Sequence, residues 1–476
     1  MRPACRQRIS ALKKHSRNED LSASSWTTDR GSNGRQIEQT QAGAVPVLRT
    51  LIRHSYWNAV ATFSHQGSTF VSNFLVIKLL DHAAYGKFSL VNLTAFYTAS
   101  ILQFAVGSTV SRFVARYADD RMRLLSVVWI CGAFSFASGL LGLGILALAS
   151  GFLSRSVFIE PSLRAPIAIV SLSVPSLVGM VFLSGLLQGL HGFRALAVSS
   201  VVSGVLFVAI VAGGAWAGGL NGAITGFVVG STLRSLIMGG LALVELGRKQ
   251  SGGMSSWRSM LNRPIRRELS RFQIPAGLAG CLTIPTLWLI PTILTRGTQN
   301  FAEVASYSVI LMIKSLIVLP ASVIALALQP SAEKALGADQ LNVALRVFRT
   351  ASVVSLAIVT ASALLITVFA KEVLAIFGHD FMSASGELQL LMIGAVAEAA
   401  AFGFYMRVQA TSRMWSSIFV TLLPRDLVML SIALMFTSSY GLHAVIVAHV
   451  VGALVNLAGV CWLSFTAIRS LERFTF

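Results

Sequence analysis

The stretch LLDHAAYGKFSL, residues 79–90, sets an acid and, four residues on, a tyrosine between two long apolar runs, and FAEVASYSVI at 301–310 does so again. Asp81 to Glu303 and Tyr85 to Tyr307 are both intervals of 222 residues. Arg112 and Lys334, each closing an apolar run, keep that interval, as do the Gly-Leu pairs at 219–220 and 441–442. Four landmarks at one interval, spread over about 140 residues, are not expected of chance and mark a duplicated unit.

Composition says what the unit is. Of 476 residues 54% are apolar and 12% charged, and mean hydropathy is +0.71, far outside the range of soluble globular chains. A helix needs about 20 apolar residues to cross hydrocarbon. Twelve such segments follow one another: 57–77, 88–109, 124–150, 165–187, 195–217, 220–244, 273–295, 305–329, 350–370, 388–406, 414–436 and 442–465. The expected fold class is therefore an all-α integral membrane protein of two six-helix repeats. An even number of spans leaves both halves in the same orientation, related by an axis along the membrane normal, with a cavity expected between them near the midplane.

Lys and Arg accumulate on the cytoplasmic side of spans. With the amino terminus inside, 29 of the 38 fall on cytoplasmic segments, six on outer loops and three within spans. Both termini are expected in the cytoplasm. The divisions are then a disordered basic tail (1–50), a first six-helix lobe (51–244), a basic cytoplasmic linker (245–272), a second lobe (273–468) and a short cytoplasmic tail (469–476). The first tail lacks the apolar core of a signal peptide; a mis-assigned start is its other reading. The net charge of +19 lies in juxtamembrane clusters, which points to anionic membrane lipids and not to nucleic acid.

Five ionisable side chains fall mid-span: Arg234, Lys314, Glu398, Arg425 and Asp426. Each costs roughly 2.5–3.5 kcal/mol in hydrocarbon on the milder scales and persists only where it faces protein or water. For Arg234 and Arg425 the competing reading is snorkelling, or a pair with an acid that ties helices together. Lys314, far from most of its span's charged flanks, is the stronger cavity candidate. At the repeat interval Lys314 maps to Asn92, Arg425 to Ser203, Glu398 to Ser176 and Arg234 to Asn456, so no charge is duplicated.

Within VTLLPRDLVMLSIAL (420–434), Pro424 is expected to kink the helix and free the carbonyl near residue 420. Arg425 and Asp426, about 100° apart around a helix, are expected to aim at different places, with Glu398 a partner for Arg425. His65, Gln66, Asn73, Gln103 and Gln188 add polar groups within spans. His65 is either a satisfied packing residue or one that binds sugar or a proton. The runs GLLGLG (139–144), GAWAG (214–218) and GFVVG (226–230) read as close-packing signals, and Asp119-Asp120 as a loop cap between Arg116 and Arg121. Cys5, Cys131, Cys281 and Cys461 are far apart and form no C-x-x-C, so no metal site or cofactor is expected.

The stretches LLDHAAYGKFSL (79–90) and GSTVSRFVARYADD (107–120) resemble the first hairpin of the polysaccharide transporters, the O-antigen and exopolysaccharide flippases of a superfamily that also holds multidrug exporters and lipid II flippases. The resemblance continues through LLQGLHGFRALAVSS (186–200), SYSVILMIKSLIVLP (306–320) and SYGLHAVIVAHVVGALVNL (439–457), covering about 55 to 465; order and spacing carry it, since no single motif is diagnostic. The usual Pro-Glu-x-Tyr-Gly turn departs here, having Asp81 and His82 and no proline.

The resemblance implies a V-shaped two-lobe transporter that carries a polyprenyl-diphosphate-linked oligosaccharide across a bacterial inner membrane. It also implies a polysaccharide polymerase and a chain-length regulator as partners. A diphosphate needs cations, so Lys314, Arg425, Arg234 and His65 are the expected cavity groups, with Arg acting as a fork and Lys as a point charge. Glu398 and Asp426, the only mid-span carboxylates, are the candidates for coupling to a proton gradient, structural pairing being the alternative. Two other functions compete. A polymerase or ligase usually carries a large outer loop, and the outer loops here are short; a cation-coupled drug exporter would favour an acidic site in the first half, where spans hold no Asp or Glu.

Overall fold

The computed structural model of the chain describes residues 30–248, 263–337, 341–410 and 414–472, and every element among them is helical. The first half comprises α1 (Arg30–Leu79), α2 (His82–Leu102), α3 (Val106–Arg116), α4 (Arg121–Phe152), α5 (Arg164–Ser171), α6 (Val174–Gly189) and α7 (Phe193–Arg248). The second comprises α8 (Arg263–Thr298), α9 (Phe301–Gly337), α10 (Leu341–Val368), α11 (Ala370–Phe377), α12 (Ser385–Ala410), α13 (Met414–Ser417) and α14 (Leu423–Glu472). Helices are the only open-ended way to satisfy every backbone group within hydrocarbon.

Seven helical runs among the described residues are long and apolar enough to cross a membrane, eight with the α2–α3 pair, which bends by 43°. Two of them, 56 and 49 residues long, are each two crossings joined at a glycine break in α7 and α14. With α1 and α8 these carry the twelve apolar segments of the sequence. Gly219 (φ 55°, ψ −135°) and Gly441 (φ 52°, ψ −130°) adopt nearly the same left-handed conformation, open to glycine and hostile to a Cβ. They are the repeat partners found in sequence, so the duplication extends to backbone geometry.

Other breaks differ from expectation. The segment 88–109 is interrupted: Phe104 and Ala105 take positive φ (43° and 57°), which ends α2 and bends the chain into α3. Helix α1 starts at Arg30, inside the segment expected to be a disordered tail. The linker is shorter than expected, since α8 starts at Arg263 and buries Ile265 and Leu269 against the first lobe. Residues 1–29, 249–262 and 473–476, which carry the rest of both tails and the linker, lie outside the described residues.

Asp81 caps α2 by accepting from the Ala84 N–H at 3.2 Å, and Asn300 caps α9 through the Ala302 N–H at 3.0 Å. These repeat-related helices then cross each other between the lobes. Gly86 lies so close to the Phe301 carbonyl that a methyl group there would collide with it. Ser89 Oγ donates to Ser308 Oγ at 2.6 Å, and Tyr85 and Tyr307 are both fully buried. One core cluster runs through this contact; a second joins the opposite ends of the first-lobe helices to α8. There Glu268 accepts from Arg116 Nη1 and Tyr117 Oη, each at 2.6 Å.

Candidate functional site

The α2–α9 crossing closes one end of a cavity of about 770 Å³ lined by α1, α2, α6, α7 and residues 308–316 of α9. It lies in the first lobe and along its boundary with α9. Its wall is rich in amides and hydroxyls: Asn58, Gln66, Asn73, Asn92, Gln103 and Gln188 all face it. The polar spacing of α1 explains this face, since 58, 62, 65, 66, 69 and 73 recur every three or four residues. The strained bend after α2 presents Gln103 to the same space. Aromatic rings, among them Phe96, Tyr97 and Phe227, supply apolar surface between these groups.

Arg234 is the permanent cation of this wall, and no carboxylate lines it among the described residues. The side chain is 4% exposed. Its Nη1 lies 3.2 Å from His65 Nδ1, its Nη2 donates to Ser68 Oγ at 2.7 Å, and its guanidinium lies 4.2 Å from the Phe207 ring centroid. No acid pairs with it among the described residues, so the expected alternative of a helix-tying ion pair does not hold for Arg234. Neutral partners orient the guanidinium but leave its charge uncompensated, and its Nε is buried with no protein partner, as is Oδ1 of Asn92. A wall so arranged suits a ligand that brings negative charge and many hydroxyls.

Sequence reasoning placed Lys314 and Arg425 in the cavity, and the structure places them elsewhere. Neither lines it, although Leu311, Met312 and Ser315 beside Lys314 do. Lys314 Nζ donates to Glu398 Oε1 at 2.6 Å, within the second lobe. The expected Arg425–Glu398 pair is therefore replaced, and Arg425 Nε donates instead to Asp426 Oδ1 at 2.7 Å. Helical geometry separates the two Cβ directions, but an arginine is long enough to fold back onto its neighbour. The local backbone contributes: residues Ile418–Leu422 form a π turn, so Pro424 falls at the start of a new helix where its missing N–H costs little. The carbonyl of Val420 meets Gly459, which admits the close approach of the neighbouring segment.

At the repeat interval Asn92, Ser176 and Ser203 of the first lobe correspond to Lys314, Glu398 and Arg425 of the second. Of these three first-lobe residues Asn92 lines the cavity, whereas their second-lobe counterparts take part in ion pairs. Tyr307 and His449, joined Oη to Nε2 at 2.9 Å, belong to the second lobe and were missed in sequence, His449 for want of any pattern around it. Ser68, also missed, had a signal: it stands three residues after His65 on one helical face. The Phe207 ring had none. Asp120 caps α4 through the Arg123 N–H, a loop cap as read in sequence. The glycine runs mark helix contacts, Gly214 against Gly222 and Gly139 against Pro175.

Two lobes of transmembrane helices, the first holding a polar cavity, define a multi-pass membrane protein with the architecture of a transporter. The chain belongs to the polysaccharide biosynthesis protein family, which matches residues 51–336. None of the curated proteins matches it in sequence. Among solved structures it is similar to a multidrug resistance MATE family transporter of the MOP superfamily in its inward-facing conformation, at 18% identity and a TM-score of 0.67 over 88% of this chain and 99% of that one. The outward-facing conformation of such a transporter gives 18% identity and 0.65, over 88% and 96%. A MOP superfamily transporter from Pyrococcus furiosus, described as having a binding pocket of reverse polarity, gives 18% and 0.61 over 88% and 95%. The likeness is one of fold.

Proposed function

We propose that the chain is a flippase that moves a polyprenyl-diphosphate-linked oligosaccharide from the cytoplasmic to the outer leaflet of a bacterial inner membrane, for O-antigen, capsule or exopolysaccharide synthesis. The observation that carries this reading is the cavity wall, amide- and hydroxyl-rich and, among the described residues, free of carboxylates and holding one buried arginine without a counter-ion. Arg234, steadied by His65 and Ser68, receives the diphosphate; the amides and rings receive the sugars; the polyprenyl chain stays in lipid. Alternating access follows from parting the α2–α9 contact while the opposite ends close. Of the coupling candidates Glu398 is the better placed, because it is 35% exposed and protonating it would release Lys314, whereas Asp426 is 7% exposed. Both termini face the cytoplasm in this reading, and a polymerase and chain-length regulator act downstream.

The fold is shared with multidrug transporters, which supports export of a small molecule as the second reading. Many drug cargoes are lipophilic cations, and an uncompensated arginine repels them. The purified protein in lipid nanodiscs should gain thermal stability from a short-chain polyprenyl-diphosphate sugar, and lose that gain at high salt. Tetraphenylphosphonium should give none. Stabilisation by the cation and none by the diphosphate would reverse the assignment.

A further inference from the structure

The α2–α9 contact has a second component at its outer rim. A hollow of about 300 Å³ lies there, lined by Glu303 and Ser306 of α9, Asp380 of the turn His379–Ala384, Glu387 of α12 and Leu442 of α14. All of these belong to the second lobe. Among the described residues only one side chain of the first lobe lines the hollow, and it is His82, which stands where the related turn has Val304. Its Nε2 lies 3.2 Å from Ser306 Oγ, and its ring centroid is 4.2 Å from that of Phe381.

We propose that His82 is an acid-sensitive latch between the lobes: its neutral ring, seated in the second-lobe hollow, holds this end of the cavity shut, and its protonation releases it.

The charges around the ring decide the sign. Asp380 across from it, Asp81 beside it and a hydrogen bond to the Ala302 carbonyl favour the imidazolium. The other acids of the hollow are otherwise engaged: Glu303 Oε2 accepts from the Leu442 N–H at 2.8 Å, and Glu387 faces His443 Nδ1 at 3.7 Å. Against the imidazolium stand burial in contact with Phe381 and the positive end of α2, whose first residue is His82. His82 precedes the apolar segment 88–109, so it lies outside the membrane span. Burial is the larger effect, and it holds the seated ring below the usual histidine range. A released ring in water returns to about 6.5. The closed contact therefore has its full stability above about pH 6.5 and loses it as pH falls toward the lower value of the seated ring. This inference rests on the contact between the lobes and not on the identity of the cargo.

The test is a distance between the lobes. Spin labels go on Ser162→Cys and Ser439→Cys, both exposed, in the full chain with its four native cysteines replaced, in nanodiscs. Between about pH 8 and about pH 5 the longer-distance population should grow severalfold. His82→Gln keeps a hydrogen bond to Ser306 but cannot titrate, and its distribution should stay short at both pH values. A parent distribution indifferent to pH, or a His82→Gln protein that opens with acid as the parent does, overturns the latch. So does loss of the response in Glu303→Gln with its retention in His82→Gln, which would make Glu303 the sensor.

Discussion

The charged residues of the spans divide into two kinds, and the division is visible only in contacts. Arg234 is a cation held by neutral groups, while Lys314, Glu398, Arg425 and Asp426 form two ion pairs. Sequence gives their depth in the spans but not their partners, because a span's rotation and the reach of an arginine are settled by neighbouring helices. His65 and Arg234 were both legible as polar groups at membrane depth; that they meet, 169 positions apart, was not. The two kinds should respond oppositely to neutralisation. Arg425→Ala leaves Asp426 buried and unpaired, which costs about 3–5 kcal/mol, and should lower the melting temperature in detergent. The double variant Arg425→Leu, Asp426→Leu removes both charges and should recover most of that loss. If the single and double variants melt alike, the pair does not hold α14.

The elements of this fold are set by where helices must break. Gly219 and Gly441 were legible because glycine is the residue that tolerates their backbone, so the repeat and the φ/ψ agree. The α2–α3 bend was not legible: Phe104 and Ala105 are ordinary helix residues, and tertiary packing, with Gly277 pressed on the Phe104 ring, overrides their preference. The π turn before Pro424 was half legible, since the proline announced a break but not its form. The glycine pair gives a graded prediction. Alanine at either position is strained by about 1–3 kcal/mol, because positive φ with ψ near −130° is a backbone that favours glycine. At 219 the added methyl meets open space, but at 441 it comes within 2.6 Å of the Glu303 carboxylate that caps Leu442. Gly441→Ala should therefore lower the melting temperature more than Gly219→Ala, and equal losses would argue that backbone strain alone matters.

At the scale of the molecule, duplication and composition made the two-lobe helical plan readable from sequence, because period, length and apolarity act through backbone physics common to all membrane helices. The cavity's position was less so. It lies within the first lobe and beside α9, not symmetrically between the halves; of the positions related to the second-lobe ion pairs, Asn92 lines it. The lobes differ accordingly: the first holds the cavity with its uncompensated Arg234, and the second holds the ion pairs Lys314–Glu398 and Arg425–Asp426. The central claim is that an uncompensated buried arginine in a carboxylate-free cavity serves an anionic, sugar-bearing lipid. Its most direct test is translocation of a polyprenyl-diphosphate-linked oligosaccharide in proteoliposomes, read by a membrane-impermeant hydrolase. The parent should move the lipid and Arg234→Gln, equally abundant and equally stable, should not; parental rates in Arg234→Gln, or a parent that leaves the lipid in place while expelling a cationic dye, would contradict the account.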